Sequence, residues 1–171
     1  MKKIGKQYAA FSLIEVMFSI VLVSTGMLSV IALAGSSMLA SADARNQLIA
    51  VELAQEGVEL VRNIRDNNWQ KSLASFNGID DNNNCRIDKD STAVVCGSDT
   101  SLYTKNGFYV HSSTGVGTKF RRKLIVQAVT ADTRRIISLV SWNNVAPTSV
   151  PACDLDNKCV YAEVTLSTWG K

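Results

Sequence analysis

Two hydrophobic patterns divide the chain. From Phe11 to Ala42 the residues are apolar or small all round the helical circle, and Glu15 is the only charge among them. The uncharged run from Val16 to Ala42 exceeds the roughly 20 residues that cross a hydrocarbon core as a helix. A carboxylate in such a segment is costly, so Glu15 marks a function. Beyond Ala42 the pattern turns amphipathic. Val51, Ala54, Val58, Val61 and Arg65 recur at spacings of three and four, with Leu53, Gly57, Leu60 and Ile64 beside them, while Glu52, Glu56, Glu59, Arg62 and Asp66 take the opposite face. No Pro interrupts residues 11 to 68. One helix of about 85 Å is predicted, its first half an anchor and its second half the spine of a head domain.

The pattern then changes period. Residues Lys71 to Thr118 are rich in Asn, Asp, Ser and Gly and read as a long loop with one short strand at Phe108 to His111. Phe120, Leu124, Val126 and Ala128 alternate with Arg121, Lys123 and Gln127. A turn at Ala131 to Thr133 leads into a second strand at Ile136 to Trp142. Val160, Ala162, Val164 and Leu166 then alternate with Tyr161, Glu163, Thr165 and Ser167, and this last strand stops at Trp169. The fold class expected is α+β: a long N-terminal helix packed on a small antiparallel sheet of three or four strands.

Charge adds an orientation. Lys2, Lys3 and Lys6 precede the apolar segment and would stay in the cytoplasm, giving a single-pass inner-membrane protein with its N-terminus inside. The small pair Ala9-Ala10 lies before the apolar run rather than after it, so cleavage there leaves the anchor on the mature protein. Without the three leader lysines, 15 basic and 15 acidic residues remain. That neutral balance makes nucleic acid an unlikely general partner. The four cysteines, Cys85, Cys96, Cys153 and Cys159, all follow the anchor, where export reaches an oxidising compartment. Of three connectivities, the local pairing Cys85 with Cys96 and Cys153 with Cys159 is chosen, because each bridge closes one loop.

The basic leader, the small residue Ala10, and Phe11 followed by Ser-Leu-Ile-Glu-Val resemble the class III signal of type IV pilins and type II secretion pseudopilins. The stretch Ala54 to Trp69 and the ending Val-Thr-Leu-Ser-Thr-Trp resemble minor pilins in particular. The resemblance implies cleavage between Ala10 and Phe11 by a prepilin peptidase, methylation of the new Phe11 terminus, and an assembly role for Glu15, paired with the Phe11 amine of a neighbouring subunit or its own. It implies three regions: a cleaved leader at 1–10, a transmembrane and filament-core helix at 11–42, and an extracytoplasmic head at 43–171. Partners would be membrane lipid before assembly, then the inner-membrane assembly platform and other pilin subunits, in a periplasmic or extracellular filament. A secretion pseudopilin, or an adhesive or DNA-binding minor pilin, is the alternative. Ala10 replaces the family's usual Gly, which implies slower processing, and the anchor has no Pro.

Other chemistry is sparse. There is no GxSxG, no HExxH, no phosphate-binding Gly-rich loop and one histidine, His111, so neither a triad nor a zinc hydrolase can be assembled and no enzyme activity is expected. Lys119 to Lys123, with Arg134 and Arg135, is a candidate phosphate-contacting patch. In Ile79 to Asp90, Asp80, Asn82, Asn84 and Asp88 stand at the first, third, fifth and ninth positions of a calcium loop. Cys85 occupies the place of the turn glycine there, and Ser91 that of the bidentate acid. Calcium is the one candidate cofactor.

Overall fold

The computed structural model describes residues 12–97 and 99–168. It divides into two compact units, Met1–Asp43 and Ala44–Lys171. Helix α1, Leu13–Gln70, supplies all the described secondary structure of the first unit and the spine of the second. The sheet of the second unit has seven strands: β1 Asn82–Arg86, β2 Val95–Cys96, β3 Ser101–Lys105, β4 Phe108–Val110, β5 Val116–Thr130, β6 Thr133–Ser141 and β7 Cys159–Ser167. All pairings are antiparallel.

The fold is therefore α+β, a helix on an antiparallel sheet, with more strands than the three or four expected. The excess lies in Lys71–Thr118, where the short strand expected at Phe108 to His111 is present as β4 and three further short strands, β1 to β3, stand in place of loop. β1 and β3 pair along one side of β5, flanked by β2 and β4, while β6 and β7 continue from its other side. β5 and β6 pair from Arg121↔Ser141 to Thr130↔Thr133 around the turn at Ala131-Asp132. The expected stop of the last strand, Trp169, lies outside the described residues.

Helix α1 ends at a well-formed cap. The Leu73 N–H donates to the Asn68 carbonyl at 2.8 Å and the Ser72 N–H to the Trp69 carbonyl at 3.0 Å. Ser72 sits between them in the left-handed region, φ 55°. This is the Schellman arrangement, with Ser in the position usually held by Gly. Within the second unit, the apolar stripe of α1 lies on the sheet. Val61 and Ile64 pack with Leu124, Val126, Ile136 and Leu166, and Ala50, Leu53 and Ala54 pack with Leu102, Phe120, Val140 and Trp142. The helix approaches β6 closely at Gly57, where a Cβ would stand 2.4 Å from the Ser138 Oγ. A third cluster, on the other side of the sheet, joins Ile125, Ile137 and Leu139 to Cys153 and Cys159.

Candidate functional site

The first feature is the N-terminal stretch of α1. Every residue from Ser12 to Ala42 is exposed, including Leu13 at 81 % and Leu39 at 75 %. The segment is long and apolar enough to cross a membrane. Five of its hydroxyls bond back to the helix itself, among them Ser19, which donates to the Glu15 carbonyl at 2.7 Å, Thr25 to Val21 at 3.0 Å and Ser29 to Thr25 at 3.0 Å. Such back-bonding removes the cost of carrying serines and threonines into hydrocarbon. Glu15 is the acidic residue of the first turn, where the helix dipole favours a negative charge. The expected cleavage and methylation positions, Ala10 and Phe11, lie outside the described residues.

The cysteines form two bridges in the chosen pairing. Cys85–Cys96 links the directly opposed residues of β1 and β2, and Cys153–Cys159 closes the turn that leads into β7.

The candidate calcium ligands lie on and around strand β1. Asn82 and Asn84 belong to strand β1, and the Asn82 Oδ1 accepts the Asn84 N–H at 2.9 Å. The Asp88 carboxylate turns to His111, accepting its backbone N–H at 3.0 Å and lying 2.8 Å from its Nδ1. Asp80 is exposed. A calcium loop wraps its ligands around one point, whereas an extended strand spreads them along a line. Among the described residues no group of three or more His, Cys, Asp or Glu could hold a metal.

The basic cluster is drawn into the fold. Arg122, fully buried, faces α1 rather than solvent: Nη1 donates to the Leu53 carbonyl at 3.4 Å and to Glu56 Oε2 at 3.2 Å, and Nη2 to the Ile87 carbonyl at 2.6 Å. Arg121 is held by Asn144 and Ser101, and Lys123 by the Thr148 carbonyl. Arg134 pairs with Asp81 at 3.3 Å and Arg135 with Glu163 at 2.6 Å. Of the six cations of the cluster, these five make contacts within the fold, and Lys119 is exposed.

What the sequence did not reveal is the buried polar cluster these contacts create. Burial pushes the Arg122 pKa below its ordinary value, against the opposing charges of Glu56 and Asp88. Burial alone would raise the Asp88 carboxyl. The hydrogen bonds from the His111 ring and backbone, with the charges of His111 and Arg122, outweigh it and hold Asp88 below its ordinary value. The cluster joins α1, the segment after β1, the end of β4 and β5. The His111 side chain is only 1 % exposed, so its role is to fasten these elements together.

Comparison with protein-family models, with curated proteins and with solved structures finds no match.

Proposed function

We propose that this chain is a minor-pilin subunit of a type IV filament. It is made as a single-span precursor whose leader is cut by a prepilin peptidase at Ala10–Phe11, and an assembly platform draws it into a filament through its N-terminal helix. The observation that supports this most is helix α1: its exposed apolar stretch carries one carboxylate, Glu15, and its later turns form the spine of a disulfide-bonded head. An apolar surface of this size needs lipid or other helices around it. In a bundle of such helices, Glu15 would pair with a neighbouring Phe11 amine, offsetting part of its burial cost and setting axial register.

Co-expression with a prepilin peptidase tests the processing step. The expected product lacks ten residues and begins with methylated Phe11, as read by mass spectrometry, and Ala10→Gly is expected to quicken the cut. A chain cut near Ala40 or Ala42 would refute the reading. Glu15→Val is expected to insert into the membrane as the parent does, since it only removes a charge, and to lose incorporation into filaments.

A further inference from the structure

Sheet edges left open by a fold are ready templates for another strand, and proteins usually keep them short, bulged or charged. Here β2 and β4 are two and three residues long, but β7 runs nine. It pairs residue for residue with β6, from Ser141↔Cys159 to Thr133↔Ser167, with no bulge and no Pro. Among the described residues, no strand pairs with its other side.

The Trp142 N–H donates to the Lys158 carbonyl at 3.0 Å, which fixes the phase of the ladder. Val160, Ala162, Val164 and Leu166 therefore direct their backbone groups to β6, and those of Tyr161, Glu163 and Thr165 point outward. The outward row is closed at both ends. The Cys159 N–H donates to the Asp154 carbonyl, and the Ser167 carbonyl accepts from Arg65 of α1. Between those ends, the backbone groups of the three residues meet no partner among the described residues. Glu163, the one charge on the strand, is neutralised by a two-pronged contact with Arg135 at 2.6 and 2.8 Å. It does not repel an arriving strand. On the helix side, Val160, Ala162 and Val164 are only half-buried, whereas Ile136, Ser138 and Val140 beside them on β6 are fully buried.

We infer that β7 is an acceptor edge for an extended segment of a different polypeptide, one with alternating apolar and polar side chains. Main-chain hydrogen bonds to Tyr161, Glu163 and Thr165 would hold it, and its apolar row would complete the burial of Val160, Ala162 and Val164. A second copy of this chain fits poorly. Two β7 strands related by an axis normal to the sheet pair antiparallel and run the two copies of α1 in opposite directions. Subunits anchored in one membrane cannot do this, and that step alone rests on the membrane-anchored reading. An axis along the strands sets each apolar row beside the other copy's polar row.

The test uses the full chain in detergent micelles and, as probe, a synthetic peptide with the sequence of β6, Thr133–Ser141, the strand that already matches β7. Amide exchange at Tyr161, Glu163 and Thr165 is expected to slow by about tenfold or more at saturating peptide, with Val160 and Val164 unchanged because they are already in the ladder. A scrambled peptide of the same composition is expected to do nothing. Thr165→Pro deletes one outward donor without touching the β6 ladder and is expected to abolish the protection. Unchanged exchange with the β6 peptide, equal protection by the scrambled peptide, or full protection of Thr165→Pro would overturn the proposal. So would concentration-dependent protection without peptide, which would give the edge to a second copy.

Discussion

Arg122 shows how one residue reorganises the reading of a strand. It lies in phase with Phe120 and Leu124, on the apolar face, and the structure keeps it there, supported by Glu56 and the carbonyls of Leu53 and Ile87. The same cluster makes stability depend on pH through Asp88. Because folding lowers this carboxyl's pKa, its stabilisation is complete above its unfolded value of about 4 and is lost as pH falls from there through the folded value. Asp88→Asn is expected to cost about 1–3 kcal/mol at neutral pH and to flatten the acid side of the stability curve below about pH 4, measured by urea unfolding. A second residue-scale prediction concerns Ser72, at φ 55° in the helix cap. A non-glycine residue there carries a conformational cost of about 1–2 kcal/mol, part of which glycine returns through its freer unfolded chain. Ser72→Gly is expected to raise stability by roughly 0.5–1 kcal/mol, and a loss would mean that the side chain contributes something the geometry does not account for.

At the scale of elements, the contact of α1 with β6 turns on Gly57 and Ser138. A methyl at Gly57 would meet Ser138 Oγ at 2.4 Å, Ser138 Cβ at 3.1 Å and Arg122 Cδ at 3.4 Å. Alanine is the better helix former by about 1 kcal/mol, but overpacking at a close contact costs about 1–3 kcal/mol. Gly57→Ala is therefore expected to destabilise. Ser138 Oγ is buried without a hydrogen-bond partner, so Ser138→Ala is expected to be neutral or stabilising and to relieve part of the Gly57→Ala defect in the double variant, a coupling that a double-mutant cycle measures. The helix and the three long strands β5, β6 and β7 were legible in the sequence, because each repeats its period over many residues. Of the short strands, β4 was, as the strand expected at Phe108 to His111, and β1 to β3 were not. Asn82–Arg86 has no apolar alternation, and the neighbouring strands are too short to display a period. One signal did point to them: Asn106-Gly107, with φ of 52° and 82°, forms the two-residue turn between β3 and β4, and Asn-Gly is the residue pair such turns require. The polar cluster was hidden for another reason. Glu56, Asp88, His111 and Arg122 are far apart in sequence, and only the register of β5 beneath α1 brings them together.

For the whole molecule, the distribution of burial assigns stability to one unit and environment to the other. Every buried residue described lies at or beyond Ala50, and both disulfides lie in Ala44–Lys171. The exposed apolar side chains of the first unit each gain about 1.5–3 kcal/mol on leaving water, a drive toward lipid or partner helices that contributes nothing to the core of the head. A chain starting at Ser41, which retains Asp43 to cap the shortened helix, is therefore expected to be soluble without detergent, to carry no free thiol and to unfold in one cooperative transition. Reduction should then lower its stability in two unequal steps. The Cys85–Cys96 bridge spans 11 positions and Cys153–Cys159 spans 6, so loop entropy gives about 3 and about 2 kcal/mol respectively. The Cys85–Cys96 loss should be the more damaging also because the Cys85 side chain packs in the core with Ile87 and Leu124, whereas Cys153 and Cys159 belong to the smaller cluster on the far side of the sheet. Paired alanine replacements compared by urea unfolding would measure the two contributions. A head that needs detergent, or whose stability is insensitive to the loss of Cys85–Cys96, would show that the anchor contributes to the core or that the bridged β1–β2 pair forms independently of it.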